Sequence, residues 1–242
     1  MSYFEYRGAK LYYEIIGEGI PFLVIHGWAI DHRYTEHMME PVFNENHGIS
    51  SEENPETKFA RVYIDLPGMG QSVPGFVKTG DDVVEILAAF MDEIFGGKQF
   101  VIGGNSFGAG VARAFGAKYP DKILALMLIV PSTGKLGRLP KEKYAVRDEA
   151  FLKTLSKADK ACFVSMNACL TKEVWQRYET MALECVRSEK DNDFLHGKFR
   201  GRYSFDVDAA YRKRPFKKPV LCLCADHDTA VGFEDQKLWE VL

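Results

Sequence analysis

Residues 104–108, Gly104-Asn105-Ser106-Phe107-Gly108, spell G-x-S-x-G. A hydroxyl in this pattern can attack a carbonyl when a strand runs into it and a helix runs out, because the serine then sits on a sharp, strained turn. Gly104 and Gly108 leave room where a Cβ would collide with a neighbouring strand or helix. The unpaired N–H groups and dipole at the helix start favour negative charge, which places the Phe107 backbone N–H to stabilise an oxyanion. Such a short pattern also arises by chance as a turn, so the flanking elements decide.

Those elements are legible. "AKLYYEII" and "PFLVIHG" read as strands, the second continuously apolar and therefore buried on both faces, as in the middle of a parallel sheet. "FARVYIDLPG" is a strand ending at Asp65. "DDVVEILAAFMDEIFGG" is a helix, with Val83, Leu87, Phe90, Met91 and Ile94 on one face, Asp81 and Asp82 at its start and Gly96 and Gly97 past its end. "KQFVIGGN" runs as a strand into Ser106. Phe107, Val111 and Phe115 repeat at helical spacing out of it until Pro120, and "ILALMLIVP" is a further buried strand. Alternation of this kind predicts a doubly wound, mostly parallel α/β sheet.

The alternation stops between about Gly134 and Arg214, where "RDEAFLKTLSK", "ADKACFVSMNACL" and "TKEVWQRYETMALECVR" look helical. The last carries Val174, Trp175, Tyr178, Met181 and Cys185 on one face, and no strand is expected to interrupt them. The predicted organisation is a core of residues 1–134 and 215–242 with an all-helical cap of residues 135–214. The polar stretch 44–58 reads as a surface insertion.

With 242 residues the chain is long enough for one α/β domain with an insertion. A formal net charge of −3 with interspersed signs gives no field that would recruit nucleic acid or an anionic membrane, and favours a small-molecule substrate. The longest apolar run, "ILALMLIV", is too short to span a bilayer, and the N-terminus has no signal-like apolar region. Five cysteines without paired spacing suggest neither a disulfide framework nor a zinc site, so a cytoplasmic, reducing setting is expected. Cys222 and Cys224 are read as small hydrophobes on one side of a strand. No phosphate loop, dinucleotide fingerprint or metal-ligand spacing is present, and no cofactor or metal is expected.

Four landmarks occur in order: His26-Gly27-Trp28, Asp65 to Ser72 ("DLPGMGQS"), Gly104 to Gly108, and Ala225 to Gly232 ("ADHDTAVG"). Together they resemble the α/β-hydrolase superfamily, in its capped esterase, C–C hydrolase and iminopeptidase-like branch. The resemblance implies Ser106 as nucleophile and the backbone N–H groups of Trp28 and Phe107 as oxyanion hole. It implies His26 and the 65–72 segment as loop-structuring elements, and an acid after "PVLCLC". Asp226 and Asp228 compete for that place, and the family's spacing to Val231-Gly232 fits Asp228 better. Its role would be to hold a histidine in the right tautomer.

In this family the histidine follows the acid. After Asp228 the sequence reads "TAVGFEDQKLWEVL", with no histidine, and His227 adjoins the acid rather than facing the serine. The expectation is a chain short of its last strand and helix, impaired as it stands, since loss of the triad histidine costs on the order of 10⁶ in turnover. The two functional expectations are a serine hydrolase of an ester, amide or related acyl bond, and a non-catalytic binder of a small ligand in the same pocket. Trp175, Tyr178, Phe194, Phe199 and Tyr203 either line that pocket or pack the cap on the core. The basic stretch Lys198 to Lys218 reads as a solvated hinge.

Overall fold

The computed structural model of the chain describes residues 2–43, 58–132, 142–188, 193–198, 205 and 216–236. Nine strands are present among them: β1 (Ser2–Tyr6), β2 (Ala9–Ile16), β3 (Ile20–Ile25), β4 (Phe59–Ile64), β5 (Phe100–Asn105), β6 (Ile123–Ile129), β7 (Val146–Arg147), β8 (Cys169–Leu170) and β9 (Val220–Leu223). Seven form one sheet in the order β1-β2-β4-β3-β5-β6-β9. The pairs β1–β2 and β2–β4 are antiparallel and the rest parallel, so the predicted doubly wound sheet is present with an antiparallel hairpin at one edge. That first hairpin strand, "SYFEY", was not foreseen.

Burial explains the central strands. Leu23, Val24 and Ile25 are fully buried on alternating faces of β3, as continuous apolarity requires in a sheet covered on both sides. The predicted buried strand β6 is only partly so, with Leu124 exposed, because its neighbour β9 is the sheet's edge and carries exposed Val220, Leu221 and Leu223.

Helix α1 (His32–Phe43) follows β3, α2 (Gly80–Phe95) follows β4, and α3 (Phe107–Lys118) follows β5. Thr79 caps α2: its hydroxyl accepts from Asp82 N while the Asp82 carboxylate accepts from Thr79 N, a reciprocal capping box. Gly96 ends the helix at φ 60°, a left-handed conformation that costs a glycine nothing. Val83, Leu87, Phe90 and Met91 face inward and pack with Phe4, Leu11, Phe107, Val111 and Phe115 in the main core.

The inserted region departs from expectation. Helices α4 (Glu149–Leu152), α5 (Lys157–Met166), α6 (Lys172–Tyr178) and α7 (Glu184–Ser188) are there, but β7 and β8 pair as a two-stranded parallel ribbon among them, so the region is not all-helical. Strands of two residues are too short to leave a period in the sequence. Between α6 and α7, residues Glu179–Leu183 form a π-helical turn, and Phe194–Lys198 forms another. The insertion has its own core of Leu152, Phe163, Leu170, Trp175, Tyr178 and Leu183. The expected domain boundaries at 134/135 and 214/215, all but Lys58 of the surface insertion at 44–58, and Phe199, Tyr203 and most of the basic stretch lie outside the described residues.

Candidate active site

Strand β5 delivers Asn105 to the carboxyl edge of the sheet, and Ser106 turns the chain into α3 with φ 52° and ψ −114°. A non-glycine residue held there costs about 1–3 kcal/mol, and the surroundings must over-determine it. They do. Ser106 N donates to Ile129 O at 2.9 Å, and Ser106 O accepts from Gly110 N and Ser132 N, both at 3.1 Å. A Cβ at Gly108 would stand 2.3 Å from Ile25 O and 2.5 Å from His26 O, and one at Gly104 would stand 2.6 Å from the Gly108 carbonyl carbon. The two glycines let the helix start press directly on the end of β3. Ser106 itself is half-buried, and its side chain makes no capping bond to α3.

Trp28 lies in the turn after β3. Its ring meets that of Phe107 edge to face, with centroids 5.5 Å apart, so the two residues expected to supply the oxyanion donors are neighbours at one edge of the sheet. Phe205 from the insertion stacks on Phe107 at 6.0 Å, and Phe194 fills the space above Gly68, where a Cβ would come within 2.2 Å of its ring. Phe205 and Phe194 thus set aromatic surface against the start of α3 and the 65–72 loop.

His26 is fully buried. Its Nε2 accepts from Leu66 N at 2.9 Å and its Nδ1 lies 2.7 Å from Gly27 O, so the ring ties the turn after β3 to the loop after β4. Burial pushes its pKa down, which keeps the ring neutral and able to accept. Asp65, also fully buried, closes the 65–72 loop. Its Oδ1 accepts from His32 N at 2.8 Å and faces His32 Nδ1 at 2.7 Å, while its Oδ2 accepts from Gln71 N at 2.7 Å. Burial pushes the pKa of His32 down, and the bond and charge of Asp65 more than reverse it, leaving it raised.

Beyond β6, the edge strand β9 leads to Asp228. Its Oδ1 accepts from Ala230 N at 2.7 Å and Val231 N at 2.9 Å, and its Oδ2 accepts from Gln236 Nε2 at 2.9 Å. Gln236, on the short helix α8 (Phe233–Gln236), is fully buried, and its Oε1 also accepts from Ala225 N at 2.8 Å. Sequence reasoning passed over Gln236; its position four residues after Gly232, on the first turn of a helix, was the available signal. Asp226, the competing acid, is exposed, and His227 Nδ1 lies 2.9 Å from Glu142 O. His26, His32, His37 and His227 all have partners other than Ser106 and Asp228. His196 is exposed on the π-helical turn Phe194–Lys198, and His47 lies outside the described residues.

The insertion is tied to the core beside the site. Cys185 Sγ donates to buried Asp31 Oδ1 at 3.3 Å, and Arg33 Nη1 pairs with Glu184 Oε1 at 2.9 Å. Burial, then the Asp31 charge, pushes the Cys185 thiol up to about 12, so it stays protonated and donating. All five cysteines are free, and Cys222 and Cys224 lie on one side of the chain with sulfurs 3.8 Å apart. A broad cleft of about 770 Å³, lined by residues including Glu18, Lys58, Lys98 and Leu124, opens at the amino ends of β3, β5 and β6. That is the opposite edge from Ser106. No described helix is long and apolar enough to cross a membrane.

A sequence profile for the alpha/beta hydrolase fold matches residues 20–236. A curated relative, the AB hydrolase superfamily protein YisY of Bacillus subtilis, is 26% identical over 139 residues. That match covers 54% of this chain and 46% of the relative, so it spans about half the relative's length. Among solved structures, an alpha/beta superfamily hydrolase from Oenococcus oeni is similar at a TM-score of 0.78 and 24% identity, over 98% of this chain and 84% of that one. A putative lipase from Acinetobacter baumannii is similar at a TM-score of 0.64 and 17% identity, over 99% and 78% of the two chains.

Proposed function

Because the chain belongs to the alpha/beta hydrolase family, we propose that it is a serine hydrolase that cleaves an ester, amide or related acyl bond of a small molecule through an acyl-enzyme on Ser106. The observation that carries this reading is the strained turn at Ser106, held at φ 52° by main-chain bonds and two glycines without room for a side chain. Strain of this kind is maintained where a side chain must point out of the fold at a fixed angle.

In the proposed reaction Ser106 Oγ attacks the substrate carbonyl carbon and its proton passes to a base. The Trp28 and Phe107 N–H groups hold the oxyanion of the tetrahedral intermediate. Collapse breaks the bond to the leaving group, which departs with that proton; water then attacks the acyl-enzyme and releases the acid, restoring Ser106. Asp228 is the carboxylate that would orient an imidazole base, with its Oδ1 already fixed by Ala230 N and Val231 N. The four histidines named above are committed to other partners, so none of them is assigned the role.

One observation favours a second reading, a non-catalytic binder of a small ligand: both oxygens of Asp228 already accept from its own turn and from Gln236, as those of a structural carboxylate do. A fluorophosphonate probe separates the two. Covalent labelling that maps to Ser106 and vanishes in Ser106→Ala supports the hydrolase. A Ser106 that stays unlabelled while a small ligand still binds supports the binder.

A further inference from the structure

Away from Ser106 and Asp228, three side chains from two elements converge: Glu14 of β2, and His32 and Glu36 of α1. One carboxylate oxygen from each glutamate and one ring nitrogen of His32 all lie within 4.8 Å of one another. His32 and Glu36 are four residues apart, one helical turn, so both project from the same face of α1. Glu14 is brought opposite them because β2 pairs with β4, whose end carries Asp65.

The state of the His32 ring points to what belongs between these groups. The residue is 5% exposed, and its Nδ1 lies 2.7 Å from the fully buried Asp65 Oδ1, which holds that nitrogen as a proton donor. Nε2 is then left toward the glutamates, and its nearest charged atom, Glu14 Oε1, stands 3.7 Å away. That gap is too long for an N–H···O bond, which closes at about 2.7–3.2 Å. A cation about 2.0–2.2 Å from each atom spans it. A histidine whose second nitrogen is held by a buried carboxylate is the usual arrangement of a metal ligand. The Tyr12 hydroxyl donates to Glu14 Oε1 and orients that carboxylate. Asp31 is close to the same ring but is already filled by the Arg33 guanidinium and Cys185 Sγ, so it falls outside the ligand set.

We propose that Glu14, His32 and Glu36 bind a divalent cation of the zinc, cobalt or manganese kind, with Asp65 as the group that orients the imidazole. One imidazole and two carboxylates suit such borderline ions, and the side chain of Glu14, 38% exposed, leaves a path for entry. The bound ion joins β2 to α1 and, through Asp65, to the 65–72 loop. None of its ligands belongs to the Ser106 or Asp228 turns, so the site stands or falls independently of the hydrolase reading. Sequence reasoning found no ligand spacing because Glu14 lies eighteen positions before His32 on a different element.

The test is a titration of the chelator-stripped chain with Co²⁺, read by its visible d–d absorption and by the thermal midpoint. The expected result is one equivalent bound, with the band and the raised midpoint both weakened at least about tenfold in apparent affinity by Glu36→Gln and by Glu14→Gln. Both variants change side chains with partial solvent contact, and unaltered far-ultraviolet circular dichroism checks that they fold. Absence of the band and of the midpoint shift in the parent chain overturns the proposal. So does an affinity that neither substitution changes, since the ion then sits elsewhere. A His32 ring that remains a doubly protonated imidazolium by nitrogen-15 NMR at saturating Zn²⁺, a diamagnetic ion of the same class, overturns it as well, because a proton then holds the place of the metal.

Discussion

Ser106 and Asp228 both leave the sheet at the carboxyl ends of parallel strands, but the two turns are built differently. The Ser106 turn follows a central strand, is fixed by main-chain bonds to β6 and the segment after it, and is wedged against β3 by glycines that tolerate no Cβ. The Asp228 turn follows the edge strand β9, and what holds it is the carboxylate itself, gripping two N–H groups of its own loop and one amide of α8. In the first the backbone positions the side chain; in the second the side chain positions the backbone. A chemically active group gains from the first arrangement, since its functional atom is left without a structural duty.

The largest effect that would test this contrast is Gly108→Ala. The new methyl would meet the carbonyl oxygens of Ile25, at the end of β3, and of His26 just after it, which cannot move without shifting the central sheet, and a loss above about 4 kcal/mol is expected in urea unfolding. A loss below about 1 kcal/mol would show that the elbow yields, and the contrast would fail. Asp228→Ala comes next, at about 2 kcal/mol, because buried Gln236 loses its acceptor along with two main-chain donors. If Asp228→Ala is instead neutral, the carboxylate does not organise its loop. Ser106→Gly is expected to stabilise the chain by about 1 kcal/mol as the strained φ is relieved, while Ser106→Ala, which keeps the Cβ, leaves stability unchanged.

The smallest effect serves as a control outside both turns. Glu40 accepts from Arg61 at 2.9 and 2.8 Å and from the Tyr63 hydroxyl at 2.6 Å. Burial pushes its pKa up, but the Arg61 and Tyr63 bonds and the Arg61 charge outweigh that and leave it below its ordinary 4.5. With the folded value depressed, the unfolded chain binds the proton more readily. The stabilisation is therefore complete above about pH 4.5 and is lost as pH falls through the folded value. Glu40→Gln should flatten this acid limb by less than about 1 kcal/mol, measured as urea midpoints between pH 3 and 6. An unchanged acid limb would show that the pair is not protonation-linked to folding.

How much of this could be read from the sequence follows from how local each signal is. The helix α2 was legible end to end because its caps and its apolar face lie within one stretch. The order of sheet and helix around Ser106 was legible because continuous apolarity marks a doubly covered strand. The Glu14, His32 and Glu36 convergence was not, because it depends on strand pairing between distant segments. Gln236 left no mark in the sequence because an amide transfers no proton, and its ties to Asp228 and Ala225 form only once the turn and α8 are folded together. The stripe expected on Val174, Trp175, Tyr178, Met181 and Cys185 was right at Trp175, Tyr178 and Cys185, but Val174 and Met181 are half-buried, and Ala182 and Leu183 are buried as well.

Trp175, Tyr178, Ala182 and Cys185 stay three or four residues apart along a chain that passes through the π-helical turn at Glu179–Leu183. An extra residue in a turn advances everything after it by about 100° around the helix axis. The number of residues in that turn sets the azimuth at which the Cys185 thiol meets Asp31, so the fit between insertion and core is keyed to its length. Removing a single residue from it would swing the thiol toward water and turn Glu184 away from Arg33. The same deletion in an exposed loop would pass almost unnoticed.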